Sequence, residues 1–211
     1  MKKALTMGEL LVTMAIIGTI ATLILPGFLK DYHSKLYVTR LKKVYETLDH
    51  AINQACTDYR VSSFQYTPYV KTGTNPVTGK LYHQDFIDKY FKMSGNQINR
   101  PFSPTYNSVI SSTKENLTVS QTGHGWGKLA SGEAISLFCS SAVNYCVFRV
   151  DVNSTDGPNT GGRDFFALYI NKTTNEIYEI NFNGVNCRTS FDSQGNGCFG
   201  RLLQDNWEMR Y

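Results

Sequence analysis

The longest apolar stretch of the chain is the uncharged run from Leu10 to Leu29. An α-helix rises about 1.5 Å per residue, so this run is long enough to cross the hydrocarbon core of a bilayer, which is about 30 Å thick. Lys2 and Lys3 precede it, and positive charge favours the cytoplasmic side of a membrane. The pattern predicts a transmembrane helix with a cytoplasmic N-terminus. An ordinary secretory signal peptide fits less well, because it has a shorter apolar core followed by a small-residue cleavage site.

A second helical pattern follows directly, since residues 30–59 contain neither Gly nor Pro. Their apolar positions recur every three or four residues, which is typical of an amphipathic helix with one side in a core. We therefore expect one helix from Leu5 to about Tyr59, apolar all round in its first half. Pro26 lacks an N–H and Gly27 follows it, so a kink or local melting is expected there. The apolar stripe of the second half comprises Leu41, Val44, Tyr45, Leu48, Ile52 and Ala55.

The last third of the chain has the composition of β-strands. Short segments rich in Val, Ile, Phe and Tyr alternate with polar connectors short enough for hairpins. Between the two patterns, the spacing of apolar residues predicts only a short helix over His83–Met93. The fold expected is α+β, with the long helix packed on an antiparallel sheet of about four strands. The predicted strands are Ala134–Phe138, Tyr145–Val152, Asp164–Ile170 and Glu176–Ile180.

Composition indicates an exported, lightly charged protein. Charged residues make up 18% of the chain, aromatic residues 13%, and the net charge is +4. Lys and Arg are scattered, so binding to nucleic acid is not indicated. The chain has five cysteines, which favours an oxidising compartment and leaves one of them without an intramolecular partner.

Glu9 is the unusual residue of the N-terminal segment, because it places a carboxylate at the edge of an apolar run, where charge is costly. A positive group on another chain is the partner we expect for it. The residues from Lys2 to Leu11, Lys-Lys-Ala-Leu-Thr-Met-Gly-Glu-Leu-Leu, resemble the leader of type IV pilins and type II secretion pseudopilins. Ala4 stands where that family usually has Gly, and Leu5 where it usually has Phe.

The resemblance implies a domain organisation and a processing route. Residues 1–4 would be a prepilin leader, 5–29 the transmembrane and assembly helix, and 30–211 a pilin-like globular domain that includes the amphipathic half of the helix. A prepilin peptidase would cut between Ala4 and Leu5 and methylate the amine of Leu5. Glu9 would then be the fifth mature residue, and Pro26 would occupy the position of the family's helix-kinking proline.

The function implied is that of a structural subunit of a type IV pilus or a type II secretion pseudopilus. Its expected partners are other pilin subunits, the prepilin peptidase, and the assembly platform and its ATPase. It would cross the bacterial inner membrane once before assembly and lie in a periplasmic or extracellular filament afterwards. The alternative is a membrane-anchored minor pilin that binds a ligand or DNA.

Residues 151–164 form a Gly-rich loop in which oxygen-bearing side chains recur, as in sites for hard cations such as calcium. The spacing departs from an EF-hand loop, because an Asp stands where that loop needs Gly and no Glu closes it. A turn stabilised by side-chain-to-backbone hydrogen bonds explains the same composition. The calcium ligands of the first hypothesis are Asp151, Asn153, Asp156 and Asp164. His124, in a glycine-rich segment without a second ligand nearby, is predicted to be an exposed loop residue.

Two pairs of cysteines have spacings that fit local disulfides. Cys187 and Cys198 enclose a polar loop that resembles the C-terminal disulfide-bounded loop of type IV pilins. Closing a loop of this size removes about 3 kcal/mol of unfolded-state entropy. Cys139 and Cys146 would bridge the tip of the first predicted hairpin, which leaves Cys56 as a buried free thiol. No sequence motif of a known catalytic mechanism is present, so an enzyme is not expected.

Overall fold

The computed structural model describes residues 6–95, 102, 106–107, 114–115, 124–179 and 198–210. The chain divides into two compact units, Met1–Leu36 and Tyr37–Tyr211. The helices are α1 (Met7–Tyr59), α2 (Tyr82–Tyr90) and α3 (Phe199–Gln204). The strands are β1 (Tyr106–Asn107), β2 (Lys114–Glu115), β3 (Gly125–Lys128), β4 (Ala134–Cys139), β5 (Tyr145–Asp151), β6 (Phe165–Asn171) and β7 (Ile177–Tyr178).

The first unit contains the apolar start of α1, and its side chains are exposed from Met7 to Leu29. The sequence predicts a kink or local melting at Pro26 and Gly27; the helix is continuous through both residues, so local melting does not occur. Threonine hydroxyls in this segment donate to backbone carbonyls three residues earlier, as Thr13 does to Leu10 at 2.9 Å. Such bonds satisfy a hydroxyl inside the helix that carries it, which suits an apolar environment.

The second unit contains a sheet in the strand order β3-β4-β5-β6-β7, and every neighbouring pair is antiparallel. The α+β class and the long N-terminal helix are confirmed. The predicted strand number is wrong, because this sheet has five strands rather than four. The strand missed is β3, whose sequence Gly-Trp-Gly-Lys lacks the β-branched residues that mark a strand. β1 and β2 pair separately.

The core forms where the apolar stripe of α1 and the inner sheet face meet. Strand residues alternate between the two faces, and on the inner face Leu137 pairs with Phe148, which pairs in turn with Leu168. These side chains form one buried cluster with the helix residues. The predicted stripe is confirmed, with Tyr45 partly buried at its edge. Its fully buried members are Leu41, Val44, Leu48, Ile52 and Ala55.

The cysteines fall into three environments. Cys139 and Cys146 face each other at the end of the β4–β5 hairpin and form a disulfide, the pair proposed from the sequence. Cys198 is also in a disulfide, but Cys187 lies outside the described residues, so their pairing stays a prediction. Cys56 is a buried free thiol, and its burial raises its pKa.

Helix α2 covers the outer edge of β3. The side-chain amide of Gln84 receives a hydrogen bond from Trp126 N and donates one to Trp126 O, both at 3.0 Å. The amide therefore stands in for the neighbouring strand that an edge strand lacks. Gly125 permits the approach, because a Cβ at this position would lie 2.4 Å from the carbonyl carbon of His83.

Candidate functional site

Three reciprocal hydrogen bonds between Thr6 and Glu9 hold the N-terminal end of α1. Glu9 Oε2 accepts from Thr6 N at 2.8 Å and from Thr6 Oγ1 at 2.9 Å, while Glu9 N donates to Thr6 Oγ1 at 3.2 Å. This arrangement is a capping box, in which two side chains satisfy backbone groups that the first helical turn leaves unpaired. Glu9 therefore has a partner within its own chain, which the sequence analysis missed although Thr-x-x-Glu is the signature of the motif.

The length and composition of the apolar run in α1 are compatible with membrane anchoring. Among the described residues, α1 is the one helix long and apolar enough to cross a membrane, and its most apolar window has no residue buried within the protein. Pro26 lies inside this helix. Ala4 and Leu5, the predicted cleavage and methylation positions, lie outside the described residues.

The loop from Asp151 to Asp164 closes on itself through backbone N–H groups. Asp164 accepts from Asn159 N at 2.7 Å and from Thr160 N at 2.5 Å, one at each carboxylate oxygen. Asp151 Oδ1 accepts from Asn153 N at 3.2 Å, two residues on, which is the geometry of an Asx turn.

The electrostatics of this loop are dominated by burial. Asp151 and Asp164 are both completely buried. Burial raises the pKa of Asp164 to about 6, and the N–H donors of Thr160 and Asn159 act in the opposite direction. The Asp164 carboxylate in turn contributes to a raised pKa of Tyr37 on α1, after burial of that phenol.

The predicted calcium ligands are only partly brought together. Asp151, Asn153 and Asp164 lie side by side, but Asp156 is exposed. Within the described part of the chain, no group of three or more His, Cys, Asp or Glu side chains could hold a metal ion. Both oxygens of Asp164 already accept backbone N–H groups, so the donor set does not fit calcium well. Asn153 Oδ1 and Asn159 Oδ1 are buried and accept no hydrogen bond from a described residue, so they could serve a cation or a water.

His124 is buried rather than exposed, so its prediction is wrong. Only 7% of its surface is accessible, and its ring stacks on Phe138 of β4 with centroids 4.6 Å apart. Its Nδ1 is buried and makes no hydrogen bond within the described residues. Burial lowers the pKa of His124 to about 4, and the neighbouring Arg149 and His83 act in the same direction. The ring precedes β3, and the missed strand is the reason its burial was missed.

Comparisons of the chain with known protein families, with curated proteins and with solved structures found no match.

Proposed function

We propose that the chain is a filament subunit of the type IV pilus or type II secretion pseudopilus kind, anchored in the inner membrane before assembly. The observation that carries the proposal is the N-terminal half of α1. Its side chains are uncharged, mostly apolar and exposed over residues 10–29, and one acid, Glu9, stands at the start of the run. Exposed apolar surface on this scale needs a lipid or protein partner. A membrane covers it before assembly, and neighbouring subunits cover it in a filament.

The proposal assigns successive steps to named residues. A prepilin peptidase removes residues 1–4 and methylates the amine of Leu5. The assembly ATPase and platform protein then extract the subunit, and head-to-tail contacts build a helical, non-closing filament. Inside the filament, apolar helices exclude water, so the Glu9 carboxylate gains a partner in the Leu5 amine of a neighbour.

The capping box refines the role of Glu9, because Thr6 and Glu9 both remain after cleavage at Ala4. A carboxylate has about four lone-pair positions, so bonds to Thr6 leave room for an amine. Thr6 would hold the carboxylate in one orientation, and the neighbour's amine would bind it there.

Three variants separate the charge of Glu9 from its capping role. Glu9→Gln removes the charge but keeps a side chain suited to a capping box, Glu9→Leu removes both, and Thr6→Ala removes the hydroxyl cap alone. Each variant is expressed with the assembly machinery and examined for cleavage, membrane insertion and filament yield. The N-terminal mass of the processed protein gives the cleavage site.

We expect all three to be inserted and cut before Leu5, and both Glu9 variants to assemble poorly, with Thr6→Ala closer to wild type. Normal filaments from Glu9→Gln with poor ones from Thr6→Ala would assign Glu9 to capping alone. Normal filaments from Glu9→Leu would show that the position needs only to be apolar. An uncut Met1, or cleavage beyond Leu29, would overturn the proposed processing.

A further inference from the structure

The second unit has a cleft that the proposed filament role does not use. It lies between the end of α1, the 3₁₀ turn Pro68–Val70, the loop at residues 75–80 and helix α2, and its volume is about 390 Å³. That volume falls within the range of roughly 300–1,000 Å³ found for small-molecule sites. We call it the tyrosine cleft, after Tyr59 and Tyr69 in its wall.

Two tyrosines give the cleft a fixed aromatic wall. Their rings meet edge to face with centroids 5.5 Å apart, and their hydroxyls are 3.5 Å apart. Tyr69 is 3% exposed, whereas Tyr59 is 44% exposed. The buried ring of Tyr69 therefore holds the ring of Tyr59 in place, and Tyr59 still has accessible aromatic surface. An aromatic ring with a hydroxyl presents an apolar body and a polar edge to a ligand.

A second wall carries a carboxylate held by the loop at residues 75–80. Asp85 Oδ2 accepts from Asn75 Nδ2 at 2.6 Å and from Thr78 Oγ1 at 2.8 Å. These bonds fix the carboxylate before any ligand arrives, and an ionised carboxylate still has further lone-pair positions. Preorganisation of this kind reduces the entropy cost of binding.

Each lysine of the cleft lies beside a carboxylate. Lys89 Nζ lies 2.7 Å from Asp58 Oδ2 and 5.6 Å from the centre of the Tyr59 ring. Lys80 Nζ lies 2.5 Å from Asp88 Oδ2. An ammonium group has three donors, so one ion pair leaves others available. The cleft thus presents donors and acceptors together.

The charge balance of the lining decides which class of ligand fits. Lys80 is paired with Asp88 and Lys89 with Asp58, which leaves Asp85 as a further carboxylate held by neutral donors, so the cleft has no excess of positive charge. A polyanion would meet two carboxylates, and an apolar ligand would leave charged groups desolvated without partners. A neutral ligand rich in hydroxyls avoids both costs. Each of its hydroxyls can donate to a carboxylate and accept from a lysine, while the carbon atoms of its ring contact Tyr59.

We propose that the tyrosine cleft binds a neutral saccharide, with the ring of Tyr59 as the stacking platform and Asp85 as the acceptor for sugar hydroxyls. This function is separate from filament assembly and does not depend on it. It gives the second unit a role in recognising glycans, whether the subunit is abundant or rare in a filament.

The test uses the purified full-length protein in a detergent without a sugar headgroup, so that the micelle does not compete. Lactose, cellobiose and N,N′-diacetylchitobiose are the neutral probes, and sialyllactose is the anionic comparator. Binding is measured by saturation-transfer difference NMR and by titration. Because the protein is unassembled, the result is independent of whether filaments form.

We expect at least one neutral probe to bind, with saturation transfer strongest at the ring protons that contact Tyr59. Tyr59→Ala should weaken binding about tenfold or more, equivalent to about 1.4 kcal/mol, and Tyr59→Phe should change it much less. Asp85→Asn should also weaken binding, which provides a second test if Tyr59→Ala does not fold. Tyr66→Ala, an exposed tyrosine outside the cleft lining, is the matched control.

Three results would overturn the proposal. The first is the absence of binding by all three neutral probes. The second is binding that Tyr59→Ala and Asp85→Asn, both shown by circular dichroism to be folded, leave unchanged. The third is preferential binding of sialyllactose over lactose, which would show that the cleft selects anionic ligands.

Discussion

The burial of His124 predicts that acid destabilises the second unit through one identifiable side chain. Its ring lies against Phe138, and protonation would place a charge where water is excluded and where Arg149 is already positive. Replacing it by phenylalanine keeps an aromatic ring in the stack and removes the titration. His124→Phe is therefore the matched variant for measuring what the imidazole contributes.

The sign and size follow from the two pKa values of His124. The pKa is 6.5 in the unfolded chain and about 4 in the folded protein, so between these values the unfolded state binds more protons. The free energy of unfolding therefore falls as the pH falls from 6.5 to about 4. Since one pKa unit is about 1.4 kcal/mol, the full difference corresponds to about 3.5 kcal/mol, of which about 3 kcal/mol is reached by pH 4.

Asp164 acts in the opposite direction over part of this range. Its pKa is raised from 3.8 to about 6, so the folded state holds a proton that the unfolded state has lost. Its contribution to stability is greatest below 3.8 and is lost as the pH rises through about 6. The pH profile of the wild-type protein alone therefore mixes two opposed effects, and a single curve would conceal that of His124.

The assay is urea unfolding of the full-length protein in detergent, followed by circular dichroism at several pH values between about 4 and 7. The free energy of unfolding of His124→Phe is subtracted from that of the wild type at each pH. The contribution of Asp164 is the same in both proteins and cancels. The free energy of unfolding of the wild type should therefore fall relative to that of His124→Phe as the pH falls, by up to about 3 kcal/mol. A difference that stays constant across this range would show that His124 is not buried in the neutral form.

Two further predictions concern the second unit. Gly125→Ala should destabilise it by about 1–3 kcal/mol, because the new Cβ meets the backbone of His83. The control is Gly95→Ala, where the described residues leave the Cβ position open. Equal melting temperatures for the two variants would contradict the close approach of Gly125 to His83. For residues 151–164, we expect the same melting temperature with calcium and with chelator; a chelator-sensitive melting temperature that Asp151→Ala abolishes would instead establish a calcium site.

Periodicity explains why the second half of α1 was predictable. A helix that packs on a sheet must place apolar residues at intervals of three and four, and Leu41, Leu48 and Ile52 are completely buried as that rule requires. The local turn at Asp151 was also predictable, because an Asx turn needs only the aspartate and the backbone two residues on. Both features depend on short stretches of sequence.

Features that depend on distant contacts were missed for a physical reason. Strand β3 has little intrinsic strand preference, and it is held by its pairing with β4 and by the Gln84 amide on its other edge. The burial of His124 requires Phe138, which is remote in sequence. The tyrosine cleft needs the end of α1, a 3₁₀ turn and α2 to come together. None of these arrangements produces a periodic pattern.

The capping box bears on the order of leader cleavage and subunit assembly at the N-terminus. Without a partner in its own chain, the Glu9 carboxylate would have to remain charged and unpaired, or take up a proton, until a neighbouring subunit supplied an amine. Thr6 already supplies two donors to Glu9, its backbone N–H and its hydroxyl, and cleavage at Ala4 would leave Thr6 in place. On the proposed function, processing would therefore not create the orientation of the carboxylate. It would create only the amine of Leu5, and that amine would find the acid already held in position. Thr6→Ala should accordingly affect how readily subunits join rather than whether the leader is cut.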